Sequence, residues 1–184
     1  MYNDLNNQFF PDHLGSAVKI LVLDVDGVLT DGGLYYDLQN QVMKRFNVQD
    51  GLGIKIAQSS GIKIAVITGL VSQAVEARIR DLGIEDYYAG FQNKGNCLDE
   101  IRKKYSLEWQ EMAYLGDDWV DLSVMSRVGL PLAVANAQPE VKNIAKYITI
   151  AQGGQGAVRE IVRHLLMAQG KYEAVLAAWS HPLC

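Results

Sequence analysis

Three carboxylates crowd one short string, Asp24-Val25-Asp26-Gly27-Val28-Leu29-Thr30-Asp31-Gly32, directly after the apolar run Val-Lys-Ile-Leu-Val-Leu. In an extended strand alternate side chains share a side, so Asp24 and Asp26 are expected to crowd each other. Like charges held so close are costly unless a cation or a proton lies between them. Gly27 then lets the backbone turn away and leave an amide exposed. Those features suit chemistry on an anion beside a bound cation. A second string, Gly153-Gly154-Gln155-Gly156, opens a long helical pattern. Glycines ahead of a helix N-terminus form an anion-binding concavity, and they equally serve as a flexible turn.

The elements that must position these groups are legible as a repeat of strand, loop and helix. Residues 18–25, 62–67, 112–115 and 130–134 read as buried β-branched or apolar strands, with residues 147–150 as an edge strand. Residues 52–60, 71–82, 94–105 and 157–167 carry helical apolar spacing, the first two followed by the stop residues Gly61 and Gly83. Alternating strands and helices predict a doubly wound α/β fold with a mainly parallel sheet covered on both faces. Ligands bind in such sheets beyond the carboxyl ends of the strands. Residues 33–46 break the pattern: two short extended runs around a polar turn predict a β-hairpin that projects beside the first strand's end as a flap.

The acidic string resembles the first motif of the haloacid dehalogenase-like phosphatases. The family's three further motifs have counterparts in order: Thr68 in Ala-Val-Ile-Thr-Gly, Lys94 in Phe-Gln-Asn-Lys-Gly, and Asp117, Asp118 and Asp121 in Gly-Asp-Asp-Trp-Val-Asp after Met-Ala-Tyr-Leu. The likeness covers nearly the whole chain and is greatest to a small capless branch that acts on 3-deoxy-D-manno-octulosonate 8-phosphate. Phe-Asn-Val-Gln-Asp-Gly, Val-Gly-Leu-Pro-Leu-Ala-Val and Gly-Gly-Gln-Gly-Ala-Val-Arg-Glu add to it. About forty residues separate Asp26 from Thr68 and about 26 separate Thr68 from Lys94, which leaves no room for a cap domain.

The resemblance implies a Rossmann-like single domain over residues 1–184 and a Mg²⁺-dependent phosphatase. Asp24 is then the nucleophile, already ionised at neutral pH, that forms an aspartyl-phosphate. Asp26 is the general acid and later the base. The metal ligands implied are the Asp24 carboxylate, the Asp26 main-chain carbonyl and the Asp117 carboxylate. Thr68, Lys94 and the amides of Gly27 and Gly69 hold the phosphoryl oxygens. Asp118 and Asp121 stand behind the ligands; Asp121 either orients Lys94 or answers a helix dipole. Arg78 is expected to hold the substrate carboxylate, against a plain surface pairing with Glu76 or Asp81. Arg159, with the glycine loop, is expected at the substrate too. The resemblance further implies a homotetramer in which hairpins pack together and a neighbour's flap or tail (residues 171–184, with Leu176, Trp179 and Leu183) completes the site.

Two positions depart from the branch's pattern. Leu70 follows Ile-Thr-Gly where an Arg is usual, and Gln49 replaces another Arg. A sister branch acting on nine-carbon sugar acid 9-phosphates usually has a Glu at the first of these, so Leu70 matches neither. A receiver domain also combines acidic residues, Thr and Lys, but places its acidic pair and its phospho-acceptor on different strands. A non-catalytic sugar-acid binding module does not need the full motif set. The 184 residues carry 49% hydrophobic and 21% charged residues and a net charge of −4, which excludes disorder and a basic nucleic-acid or membrane surface. The two cysteines, Cys97 and Cys184, lie far apart, which fits a reducing compartment. With no basic-then-apolar start and no run long enough to span a bilayer, a cytoplasmic protein is expected.

Overall fold

A computed structural model describes residues 9–91 and 93–180. The chain runs through α1 (Asp12–Gly15), β1 (Ile20–Leu23), β2 (Tyr35–Tyr36), β3 (Val42–Met43), α2 (Val48–Ser59), β4 (Lys63–Thr68), α3 (Gln73–Leu82) and β5 (Asp86–Ala89). It continues through α4 (Lys94–Lys104), β6 (Met112–Gly116), α5 (Leu122–Met125), β7 (Leu130–Ala133), α6 (Pro139–Ile144), β8 (Tyr147–Ile148), α7 (Ala157–Ala168) and α8 (Tyr172–Ser180). Six strands form one sheet in the order β5-β4-β1-β6-β7-β8, every neighbouring pair parallel. The expected doubly wound sheet is therefore present.

Strand β1 is central, and all four of its side chains, Ile20 to Leu23, are fully buried. Burying each such side chain contributes roughly 1.5–3 kcal/mol relative to leaving it exposed. From β1 the chain builds outward through β4 and β5, then returns to β6 and builds the other way through β7 and β8. The strand order thus reverses between β1 and β6, the place where open α/β sheets bind ligands. Helices α1, α2 and α7 pack together as one group, and α4, α5 and α6 as another.

Several elements differ from expectation, the short helices α1, α5 and α6 among them. Strand β5 is absent from the sequence reading, because Asp-Tyr-Tyr-Ala is a short edge strand with mixed polarity. Helix α2 starts at Val48, capped by the Asn47 side chain accepting from the Gln49 amide at 2.8 Å, and runs through Gly51 instead of beginning after it, with Gly53 also inside it. Packing overrides propensity there: a Cβ at Gly51 would stand 2.2 Å from Arg78 Nη2, and one at Gly53 3.1 Å from Arg159 Cα. The expected tail is helix α8 up to Ser180, while Leu183 lies outside the described residues.

The hairpin is present as β2 and β3, with Tyr35 opposite Met43 and Tyr36 opposite Val42. Its turn is closed by Asp37 Oδ1, which accepts from the amides of Gln39 and Gln41. A bridge between Thr30 and Phe46 ties its base to the loop that follows β1.

Candidate active site

The functional groups converge because three central strands end level with one another. Leu23 pairs with Val66 of β4 and with Leu115 of β6. The Asp24 amide extends the β6 ladder by donating to the Leu115 carbonyl at 3.1 Å. Asp24 therefore leaves β1 beside Thr68, the last residue of β4, and beside Gly116 and Asp117 at the end of β6. Lys94 arrives from the first position of α4, which Asn93 caps by accepting from the Gly95 amide.

Lys94 is 1% exposed, and its ammonium donates to Asp24 Oδ1 at 2.8 Å, to Asp121 Oδ1 at 2.7 Å and to Tyr114 Oη at 3.2 Å. Burial alone would favour the neutral amine, but the charges of Asp24 and Asp121 outweigh it and hold Lys94 protonated above its usual range. Asp121, fully buried, has both oxygens engaged. Tyr114 Oη donates to its Oδ1 at 2.7 Å, and the amides of Asp117 and Asp118 donate to its Oδ2 at 3.0 and 3.3 Å. Asp121 thus holds the Lys94 ammonium and gathers the amides of the loop after β6. Asp118 is exposed and caps the following turn by accepting from the Trp119 amide at 2.7 Å.

One ligand oxygen each from Asp24, Asp117 and Asp121 lies within 4.8 Å of the others. Burial first, then the charge of Asp121, pushes the Asp24 carboxyl up to about 7, with Lys94 only partly offsetting them. Burial and then the charges of Asp24, Asp121 and Asp118 push Asp117 up to about 8. Asp117 Oδ1 is also buried without a hydrogen-bond partner. An orphaned carboxylate oxygen facing a second carboxylate fits a hard divalent cation. Gly27 completes this wall: its φ is +83°, and a Cβ there would stand 2.0 Å from Asp117 Oδ2.

The expectation that Asp24 and Asp26 share a side is corrected. Strand β1 ends at Leu23, and the chain turns at once, with the amides of Val28, Leu29 and Thr30 all directed at the Val25 carbonyl. Strand alternation therefore does not reach Asp26, and the cation site forms between different strands. The Asp26 carboxylate pairs instead with the ammonium of Lys44, which follows β3. The Gly27 amide faces Thr30 Oγ1 at 3.4 Å, and Thr68 is buried with its Oγ1 3.4 Å from the Leu70 amide. Beside them, Leu34, Tyr36, Lys44, Leu70, Ser72 and Gln73 line a cleft of about 370 Å³ between the hairpin and the loop after β4. Leu70 is 56% exposed there.

The two arginines expected at the substrate make their contacts outside the Lys94–Asp24–Asp121 cluster. Arg78 donates to the Asn47 carbonyl at 3.2 Å and packs over the Phe46 ring, engaging neither Glu76 nor Asp81 in those contacts. Arg159 lines an apolar cleft between α2, α7 and α8 with Leu52, Val162 and Trp179, its Nη1 buried without a partner. The glycine loop's anion is the chain's own Asp50, whose carboxylate accepts from the amides of Gly156 and Arg159 at 3.1 and 2.9 Å. A helix N-terminus satisfied in this way has its positive end already answered. Tyr114, Lys44 and Asp50 escaped the sequence reading. A Tyr inside a buried apolar strand is itself a signal, since its hydroxyl needs a partner.

The cluster sits at the reversal of a parallel sheet, with an acidic string after β1, Thr at the end of β4, Lys at a helix start and a second acidic cluster after β6. Residues 90–161 match the family model described as haloacid dehalogenase-like hydrolase, and the chain belongs to that family. Over 156 residues it is 44% identical to the 3-deoxy-D-manno-octulosonate 8-phosphate phosphatase of Escherichia coli K12, covering 85% of this chain and 83% of that protein. The crystal structure of the phosphatase of the same name from Yersinia pestis superposes with a TM-score of 0.86 at 40% identity, covering 88% of each chain. Its counterpart from Moraxella catarrhalis, solved with magnesium, phosphate and KDO, superposes with a TM-score of 0.89 at 36% identity, covering 91% of this chain and 97% of that one.

Proposed function

We propose that this chain is a Mg²⁺-dependent phosphatase that hydrolyses 3-deoxy-D-manno-octulosonate 8-phosphate. The carrying observation is the buried Lys94–Asp24–Asp121 cluster with the orphaned Asp117 oxygen beside it. Its relatives bear that activity in their names, and one was solved with magnesium, phosphate and KDO. Asp24, Asp117 and the Asp26 carbonyl would hold Mg²⁺, which when bound neutralises the charge that keeps a phosphate ester from Asp24. An oxygen of Asp24 attacks phosphorus in line as the ester P–O bond breaks, and Asp26, a carboxylate in its pair with Lys44 that takes up a proton before this step, passes that proton to the leaving alkoxide. Asp26, now a carboxylate, takes a proton from the water that attacks the aspartyl-phosphate, releasing phosphate and regenerating Asp24. Lys94, with Thr68 and the amides of Gly27 and Gly69, stabilises the phosphoryl oxygens; one such donor is worth about 10²–10³ in rate.

The test is kcat/KM for this substrate against a nine-carbon sugar acid 9-phosphate and simple sugar phosphates. A preference of about 10²-fold or more, about 2.7 kcal/mol of discrimination, is expected for the eight-carbon acid. Leu70, exposed in the cleft and matching neither branch, keeps a nine-carbon sugar acid or another sugar phosphate as the second reading. A reversed preference would establish that reading.

The metal site predicts a pH-dependent response to Mg²⁺. Asp24 and Asp117 rise in the fold to about 7 and about 8 from 3.8. Raised carboxyls favour folding while they stay protonated, so the metal-free protein loses stability as pH climbs from about 4 through 8. Mg²⁺ binds the ionised pair and must displace those protons. Thermal unfolding should show Mg²⁺ raising Tm by roughly 5–10 °C at pH 8 when near-saturating, and by clearly less at pH 6. An equal rise at both pH values would refute the assignment of the pair as ligands.

The chain is further proposed to form one domain, to assemble as a homotetramer and to serve lipopolysaccharide precursor synthesis in the cytoplasm. No helix among the described residues is long and apolar enough to cross a membrane. Exposed Leu34, Tyr35, Tyr36, Leu38 and Met43 on the hairpin, and Leu176 and Trp179 on α8, support association through these elements. Light scattering that returns a fully active monomer would overturn the tetramer.

A further inference from the structure

Lys44 transfers no proton in the steps above, yet its side chain is 2% exposed and its ammonium is paired with Asp26. A lysine is rarely buried unless its charge is answered, because desolvating the ammonium is costly. This one reaches inward from an element that holds little else inside. The β2–β3 ribbon has two residues per strand, and Tyr35, Tyr36 and Met43 are exposed. A hairpin so short is marginal alone and needs anchoring. Its anchors are the Thr30–Phe46 bridge and the Lys44–Asp26 pair.

The same lysine lines the cleft beside Leu70, Ser72 and Gln73. Asp26 itself sits in a turn with its side chain 31% exposed, so no packed strand holds its carboxyl group in place. Lys44 takes Oδ1 and thereby limits the directions in which the other oxygen can point. A general acid must lie within hydrogen-bond reach of the oxygen it protonates, and a misplacement of about 1 Å can cost about 10²-fold in rate.

We infer that Lys44 is a positioning residue for Asp26: carried by the hairpin, it aims the Asp26 carboxyl group at the leaving-group oxygen in the cleft and away from the Asp24–Asp117 pair. The inference rests on the phosphatase reading. It ties the placement of the hairpin to the proton transfer that accompanies P–O cleavage, although the hairpin supplies no group that touches phosphorus.

The test compares K44A, K44M and K44R with the parent on two esters. One is the sugar phosphate the parent prefers, whose alkoxide must be protonated as it leaves. The other is p-nitrophenyl phosphate, whose phenolate leaves without a proton. For K44A and K44M, kcat/KM should fall about 10²-fold on the sugar phosphate and threefold or less on the aryl ester. K44R should recover most of the loss. K44M keeps the buried stem, so it reads the same contrast if K44A folds poorly. Equal losses on both esters would overturn the inference, making Lys44 a phosphate-binding or purely structural group, and so would unchanged sugar phosphate turnover. A parent inactive on both esters would instead overturn the phosphatase reading itself.

Discussion

Asp24→Asn is expected to lower kcat by at least about 10⁴-fold while leaving the metal-free protein no less stable than the parent at pH 8. The first half follows from chemistry: an amide cannot form the acyl phosphate, and loss of a nucleophile removes most of the acceleration in comparable enzymes. The second half follows from electrostatics. Ionised Asp24 is disfavoured by burial and by Asp121 more than Lys94 compensates, which is why its carboxyl rises to about 7. Asparagine carries no charge to bury, and its carbonyl can still accept from Lys94. Removing that charge also relieves Asp117, whose carboxyl rises partly because of Asp24. At pH 5 the parent's Asp24 is itself neutral, so the two proteins should unfold at nearly the same temperature. Phosphate-release kinetics and thermal unfolding at the two pH values check both halves. More than about 1% residual kcat in the variant, well above a 10⁴-fold loss, would remove Asp24 from the nucleophile's role.

Lys94→Met is expected to show the opposite combination, losing activity and stability together. Methionine matches the length of the lysine stem but leaves Asp24 and Asp121 buried with no counter-charge; their side chains are 7% and 0% exposed. Removing one partner of a buried pair typically costs about 3–5 kcal/mol. For a chain of this size that corresponds to a fall in Tm of roughly 6–20 °C. The fall should be greater at pH 8 than at pH 5, because Asp24 can take up a proton and shed its charge. Turnover should drop by at least about 10²–10³-fold, the cost of one donor to the phosphoryl oxygens. The double variant with Asp24→Asn should recover part of the lost stability, since the two side chains touch and their effects are not additive. A Lys94→Met protein as stable as the parent at pH 8 would mean that the cluster is not held together by its charges.

The amino-acid sequence by itself determined most of the sheet and the candidate site residues. The apolar runs around Ile20–Leu23, Lys63–Thr68 and Met112–Gly116 are local patterns, and buried parallel strands need nothing more than such runs. Asp24 was legible in its own acidic string, and Thr68, Lys94 and Asp117 through the resemblance, each standing at a strand end or helix start that the local pattern marks. The hairpin was legible locally, from its polar turn between short apolar runs. Tertiary structure alone decided the partners. The chain turns after Leu23, so Asp24 meets Asp117 instead of Asp26. Asp26 meets Lys44, eighteen positions away. The glycine loop meets Asp50, over a hundred positions away, so the anion expected at α7 turned out to be part of the chain. Arg78 and Arg159 went to α2, against Gly51 and Gly53, because two helices approach closely there. Side-chain identity is written locally, but a charge settles on whichever opposite charge or dipole the packed backbone brings within reach, and that distance exists only once the strands are in register.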